Sequence, residues 1–228
     1  MKPWQVKSWV IPSADASFVC QMEQVLDVYA RPYDASSPVV CLDESPKQVF
    51  SELRAGFTDS KGITHQDYEY KREGVADMYM LVEPLAGFRK VLVEDNHQGT
   101  TYAKVVAHLV EEIYPTARKI TLVEDNLSAH KLACLYQVFP AERARGIIEK
   151  LEVVRTPAHG SWLNIAECEL SVLTRQGIAQ RIASKEQLLQ QVQEWGQTRN
   201  RKQTKVDWQF TTKEARIKLK QLYPSVNT

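Results

Sequence analysis

The chain has 228 residues, 43% of them hydrophobic and 25% charged, and a formal net charge of +1 that by itself speaks against a strongly basic nucleic-acid binder. Such a length buries the core of one large domain, or of one domain with an appendage. No run approaches the roughly 20 apolar residues that cross a bilayer, no apolar signal segment opens the chain, and four scattered cysteines without a CxxC pair suit reduced thiols in a cytoplasmic protein.

Phe18, Met22, Val25 and the pair Val28 and Tyr29 fall near helical spacing, which predicts a helix stopping at Arg31-Pro32. Val39 to Leu42 form a short apolar run ending at Asp43, as in a strand buried on both faces. Residues 51–74 are polar, charged and glycine-containing, and read as a long loop or irregular excursion. VADMYMLVEP and FRKVLVED predict two strands joined by the turn Leu85-Ala86-Gly87. From Thr100, Tyr102, Val105, Val106, Leu109 and Ile113 line one face of an amphipathic helix that Pro115 ends. KITLVED is a fourth strand closing on Glu124 and Asp125, SAHKLACLYQVF a helix, and LEVVRTP a fifth strand. Ser161 is expected to N-cap a helix whose stripe of Leu163, Ala166, Leu170 and Leu173 faces the core. A last helix, SKEQLLQQVQEWGQTRNRK, leads into a basic tail containing a tryptophan.

Three strands, then helix, strand, helix, strand and helix make a mixed α/β domain. That order is the one of a ribonuclease-H-like fold, a five-stranded mixed sheet flanked by helices, although other α/β folds can be threaded onto it. Residues 1–35 read as a helical lead-in, 36–180 as the ribonuclease-H-like domain and 181–228 as a helical, basic C-terminal extension. Neither GxGxxG nor GxxxxGK[ST] occurs, which disfavours dinucleotide and P-loop chemistry.

Three carboxylates stand out by position. Asp43 ends the first predicted strand, Asp125 ends the fourth, and Glu167 lies in the first turns of the helix after the fifth. If the first and fourth strands are neighbours, both aspartates meet, and the helix can project Glu167 to the same place. Carboxylates around an open notch suit hard cations such as Mg²⁺ or Mn²⁺, and two such ions support phosphodiester cleavage. Taken singly, an aspartate at a strand end is more often a turn former, and a helical glutamate is more often solvated.

The segments CLDES, LVEDNLSAHK and TPAHGSWLNIAECELSVLTRQ resemble the three signature blocks of the Tc1/mariner–IS630 transposase superfamily, with the third block most similar to bacterial IS630-type members. The resemblance runs from about Pro3 to Tyr223. It implies a DDE catalytic domain for cut-and-paste DNA transposition, with Asp43, Asp125 and Glu167 as catalytic and metal-binding residues and Mg²⁺ or Mn²⁺, in two ions, as cofactor. It implies double-stranded DNA as partner, both transposon ends and target, and a homodimer on paired ends. Relatives usually begin with helix-turn-helix modules, whereas this chain is expected to start at the catalytic part. The 41 residues between Asp125 and Glu167 exceed the spacing of the eukaryotic branch, and the surplus is expected in FPAERARGIIEKLEV. Glu169 rivals Glu167, but the two lie about 200° apart around the helix and cannot serve one site together; the motif register selects Glu167.

Around these acids, Asn126 could orient a metal-bound water or phosphate or simply form a turn, and His130 could approach the scissile phosphate or be a structural hydrogen-bonding histidine. Asn164, three residues before Glu167, could buttress that carboxylate or hold the loop. His159 and Trp162 are expected to fix the start of the helix, and strand alternation points Glu44 and Glu124 to the opposite face.

The even overall charge is unevenly divided. Residues 1–170 carry 18 Lys and Arg against 24 Asp and Glu, while residues 171–228 carry 11 against 4, an acidic body with a basic arm. Within that arm, Arg199, Arg201, Lys202, Lys205 and Trp208 are the expected DNA-binding residues, since basic side chains interleaved with aromatics suit phosphate contact and stacking; Lys213, Arg216, Lys218 and Lys220 continue the series. Two other readings stay open: a non-catalytic DNA-binding or assembly remnant of a mobile element, and a ribonuclease H or repair nuclease on the same fold.

Overall fold

The computed structural model describes residues 15–54, 56–65 and 69–224; most of the expected lead-in, residues 1–14, lies outside them. Helix α1 (Ala16–Tyr29) starts where the Asp15 side chain accepts a hydrogen bond from the Phe18 N–H and buries Met22, Val25, Leu26, Val28 and Tyr29. It ends just before Pro32, as the sequence predicts, because proline cannot continue the ladder.

Five strands form the main sheet in the order β5-β4-β1-β6-β7. β1 (Val39–Glu52) pairs antiparallel with β4 (Tyr70–Glu83), which pairs antiparallel with β5 (Phe88–Glu94). On its other side β1 runs parallel to β6 (Ile120–Glu124), and β6 parallel to β7 (Leu151–Arg155). This is the ribonuclease-H-like sheet expected from element order. Its two faces carry separate cores, one closed by α1, α5 (Ile165–Gln176) and α6 (Lys185–Arg201), the other by α2 (Gly99–His108) with its following π turn Leu109–Ile113, α3 (Leu135–Val138) and α4 (Ala141–Glu149).

Four details differ from expectation. β1 does not stop at Asp43 but runs on to Glu52, paired with the first half of β4, so much of the supposed loop 51–74 is ribbon, with a small hairpin of β2 (Phe57–Thr58) and β3 (Thr64–His65) beyond it. The outer half of β4, Tyr70 to Val75, is exposed at every position, so there is no buried face to impress an alternating pattern on the sequence. Pro46 is tolerated inside β1 because β6 pairs only with Val39 to Cys41, leaving that edge of β1 without a ladder where a missing N–H would matter.

The helix expected over SAHKLACLYQVF is a 3₁₀ turn, Leu132–Cys134, and the four-residue α3, which Phe139-Pro140 terminates. α4, within the segment assigned only as surplus length, escaped notice because Ala144 and Ile147 are its only buried residues. Finally, Asn164 rather than Ser161 N-caps α5, and Ser161–Leu163 forms a 3₁₀ turn ahead of it.

α6 is capped by Ser184 and buries Leu188, Val192 and Trp195 in the core that also holds Leu173 and Ile178 of the α5 side. α7 (Thr212–Lys218), closed by a capping box between Thr211 and Glu214, lies on α1 through Arg216 and Glu23 at 2.8 Å. The N-terminal helix and the C-terminal helices therefore share one core with the sheet.

Candidate active site

Asp43 lies on β1 two residues past its last pairing with β6, and Asp125 follows the last residue of β6. Parallel pairing of those two central strands brings both aspartates to the same end of the sheet. α5 crosses that end, and its first turn supplies Glu167. All three acids line one cleft of about 530 Å³, together with Glu44, Ser45, Ser161, Asn164, Ser171 and Arg175.

Each acid is held differently. One Asp43 oxygen accepts the Glu44 N–H at 2.8 Å, and the other accepts from the Asn164 amide at 3.3 Å. That amide also donates to the Leu42 carbonyl at 2.9 Å, while the Asn164 side-chain oxygen caps α5 at Ala166 N–H. Asn164, almost fully buried, thus bolts the start of α5 to β1 at Leu42 and Asp43. Burial pushes the Asp43 pKa up to about 7, against the Glu44 N–H that lowers it, and the nearby charges of Glu44, Asp125 and Glu167 add to the rise. Glu167 has a buried Oε2 without a hydrogen-bond partner.

Asp125 has the opposite balance. Burial would raise its pKa, but His130, the Leu127 N–H and the charge of Arg155 hold it below the usual aspartate value. The His130 ring is buried, with Nδ1 2.6 Å from Asp125 Oδ1 and Nε2 2.9 Å from Glu44 Oε2. Burial works against a charged imidazole, yet the two carboxylates on its nitrogens push its pKa up to about 10. The ring also stacks on Tyr102 at 4.8 Å, and the Tyr102 hydroxyl donates to Glu124 at 2.7 Å. Arg155 closes the group, 3.3 Å from Glu124 and donating to the Asn126 side chain and the His130 carbonyl. Glu124 contacts Tyr102 on the α2 face, as alternation predicts, whereas Glu44 borders the cleft as well as contacting His130.

Do these residues fit a divalent cation? The donor set is all oxygen, as hard cations prefer. Asp43 has a pKa raised by burial and then by its neighbours' charge, and Glu167 has an orphaned buried oxygen; both conditions are relieved by a cation between them. Among the described residues no three carboxylate, histidine or cysteine side chains already stand as a closed cage, so the side chains would draw inward around an ion.

The other expected residues scatter. Glu169 is buried on the far side of α5 from the cleft, 2.9 Å from Arg89 and 2.8 Å from Arg199. Arg199 therefore has an internal partner and lies over the Trp195 ring besides, which corrects its assignment to the exposed basic arm. Trp208 is half-buried, 5.3 Å from the Tyr29 ring and donating to the Phe210 carbonyl; its apolar surface drew it into the core rather than leaving a stacking platform. Arg201, Lys202 and Lys205 are exposed. They flank the β4–β5 corner, where Val206 N–H bonds to Pro84. Asp43 stands opposite Met80 of β4, four residues before that corner, so the basic stretch is displaced by about 13 Å along the strand. Arg216 and Lys218 pair with Glu23 and Glu214.

Sequence reasoning overlooked Arg175, a cation on the wall of the acidic cleft. Its spacing carries the signal: 167, 171 and 175 are successive i+4 positions on one helix face. It also left Arg155 unassigned. Trp162, expected to fix the helix start, lies in the turn directly ahead of α5, 42% exposed and with its ring 6.4 Å from that of Phe210.

Residues 38–189 match the model of a family described as DDE superfamily endonuclease. No curated protein matches the chain in sequence. Among solved structures, the chain is similar to the Mos1 mariner paired-end complex with Mn, at a TM-score of 0.56 and 15% identity, over 87% of this chain and 61% of that one. The Mos1 transposase paired-end complex with the left transposon end gives 0.55 at 15% identity, over 84% and 58%. The Mos1 strand transfer complex gives 0.52 at 14%, over 84% and 57%. The chain thus spans about three fifths of those solved chains, and the likeness is one of fold.

Proposed function

The chain belongs to the DDE superfamily endonuclease family, and on that premise we propose that it is the catalytic domain of a Tc1/mariner transposase, of the IS630 type, which cleaves and joins double-stranded DNA. The observation that carries this reading is the convergence of Asp43, Asp125 and Glu167 on one cleft, where burial and then the charge of its neighbours raise the Asp43 pKa to about 7. The three signature blocks in the sequence support the transposase assignment, and HGSWLN with the following ExE supports the IS630 type.

Asp43, Asp125 and Glu167 would hold Mg²⁺ or Mn²⁺, in two ions; when bound, these activate a water or 3′-hydroxyl and neutralise charge on the leaving oxygen. The chain's own residues supply the positioning. Asn164 orients Asp43, and the contacts of Asp125 with His130 and the Leu127 N–H both fall on Oδ1, leaving Oδ2 for a cation. Held on both nitrogens by carboxylates, His130 acts as this brace rather than as a proton shuttle. Arg175 stands where a phosphate in the cleft needs a counter-charge. Catalysis of in-line phosphoryl transfer then rests on alignment and charge, with no covalent enzyme intermediate. DNA ends paired by a homodimer in the cytoplasm would be the substrate, a reading that the existence of Mos1 paired-end complexes supports for the pairing of ends.

The test supplies the purified chain with end-recognition modules and its terminal-repeat DNA, in Mg²⁺ and in Mn²⁺. Metal-dependent nicking is expected, and Asp125→Ala should reduce it at least about a thousandfold, as loss of a metal ligand removes the ion's several kcal/mol of charge stabilisation. No cleavage in either metal would sink the reading. Cleavage of RNA–DNA hybrid without terminal repeats would replace it with a ribonuclease.

A further inference from the structure

The carboxylate that the site does not use, Glu169, sits in a buried ionic clamp. Its side chain is 5% exposed, with Oε2 2.9 Å from Arg89 Nε and Oε1 2.8 Å from an Arg199 terminal nitrogen. Arg89, itself fully buried, donates its two remaining nitrogens to the Gly87 carbonyl at 3.0 Å and the Thr204 carbonyl at 2.8 Å. Its backbone is matched too: Asn200 of α6 both accepts from the Arg89 N–H and donates to the Arg89 carbonyl. One carboxylate on α5 is therefore gripped from two sides, by the β4–β5 corner and by α6.

Glu169 lies two residues after Glu167, about 200° around the same helix. The rest of α5's buried face is Ile165, Ala166, Leu170 and Leu173, and apolar contacts of that kind are non-directional. They hold the helix against the sheet without setting its rotation about its own axis, which Asn164 constrains only at the N-cap, through its bonds to Leu42 and Asp43. Side chains reach roughly 5–6 Å from a helix axis, so a rotation of about 10° carries the Glu167 carboxylate about 1 Å. A catalytic constellation tolerates roughly 0.5 Å. Arg199 donates a directional hydrogen bond to Glu169 Oε1 at 2.8 Å, while Arg89 Nε adds its charge 2.9 Å from Oε2 without hydrogen-bond alignment, and the carboxylate sits on the side of the helix where it can act as a rotation stop.

We propose that the Arg89–Glu169–Arg199 clamp is a positioning device that fixes the azimuth of Glu167, which makes the C-terminal helix α6 a working part of the metal centre. This rests on the reading of Glu167 as a metal ligand. The clamp touches neither the cleft nor the other two acids, so its influence on the site passes through helix rotation alone.

The experiment measures Mn²⁺ binding to the full-length chain by electron paramagnetic resonance, below the unfolding temperature of every variant. Arg199→Lys keeps the charge but loses the planar fork, and it should fold while weakening Mn²⁺ binding about tenfold or more, the range seen when supporting residues of a metal site are lost. Glu169→Gln should do the same if it folds. Leu188→Ala, a core truncation on α6 that leaves the clamp intact, should lower the unfolding temperature yet keep Mn²⁺ affinity. Wild-type affinity in Arg199→Lys overturns the proposal, as does an equal loss in Leu188→Ala. Glu167→Gln separates the two ideas: if it binds Mn²⁺ as tightly as wild type, the ligand assignment fails, whereas if it loses the ion while Arg199→Lys keeps it, only the clamp fails.

Discussion

Asp43 and Glu169 are both acids near the start or middle of well-packed elements, and they respond oppositely to loss of charge. Asp43 has a raised pKa, first through burial and then through Glu44, Asp125 and Glu167. A carboxyl whose folded pKa exceeds its unfolded one stabilises the fold relative to its ionised form at low pH, and that contribution is lost as pH rises from about 4 towards 7. Asp43→Asn should therefore raise metal-free stability at neutral pH, by at most about 4 kcal/mol for a shift of this size, and the gain should vanish in urea titrations run in acid. The same variant should lose the upward shift in unfolding temperature that Mn²⁺ gives the wild type through mass action. Glu169→Gln goes the other way. It leaves Arg89 and Arg199 facing each other in the interior, and removing one partner of such a buried pair costs about 3–5 kcal/mol. Denaturant unfolding in the absence of metal measures both, and a Glu169→Gln loss under 1 kcal/mol would show that water already screens the clamp.

At the scale of elements, the corner between β4 and β5 determines how the C-terminal segment is laid down. Gly87 adopts φ of +69°, and a Cβ there would lie 2.7 Å from the backbone carbon of Gln203. Gly87→Ala should cost roughly 1–3 kcal/mol for the strained dihedral and further stability for the displaced 203 backbone. The measured effect should include weaker protection of the Thr204 and Val206 amides in hydrogen exchange; unchanged protection would mean that the corner does not hold the tail. The β1–β4 ribbon is the contrasting case. It is unreadable from sequence because the β4 half, Tyr70 to Val75, is exposed at every position and only Val49 of the facing β1 segment is buried, so there is no hydrophobic period to announce the pairing. α4 failed for a related reason, since a helix burying only Ala144 and Ile147 gives too sparse a stripe. The boundary of α5 lies at Asn164 rather than at the expected Ser161 because both are good caps, and what chose Asn164 is the hydrogen bond its side-chain N–H donates across space to the Leu42 carbonyl.

At the scale of the whole molecule, the helices beyond residue 180 complete the core rather than append to it. Leu188, Val192 and Trp195 are buried with Leu173, Ile178 and Ile182, and α7 ties back to α1. A chain ending at residue 184 should lose cooperative thermal unfolding and bind a hydrophobic dye, while one ending after Tyr223 should unfold as the full chain does. A cooperative transition in the shorter chain would make residues 36–180 an independent domain.

The sequence alone determined the order of the main elements along the chain and the hydrophobic stripes of α1, α2 and α5, and it marked three acids that the fold brings to one cleft, because each is written in local periodicity or in a short block of adjacent residues. It marked Arg199 and Trp208 as part of one basic, aromatic surface, and there local pattern misled. Whether a cation is free or clamped, and whether an aromatic ring is a platform or a wedge in the core, depends on what distant residues occupy its surroundings. Arg199 met Glu169 thirty positions away in the chain, and Trp208 met Tyr29 across the molecule. Only the tertiary structure decided these, since burial and ion pairing are properties of neighbours in space, which a linear pattern does not contain.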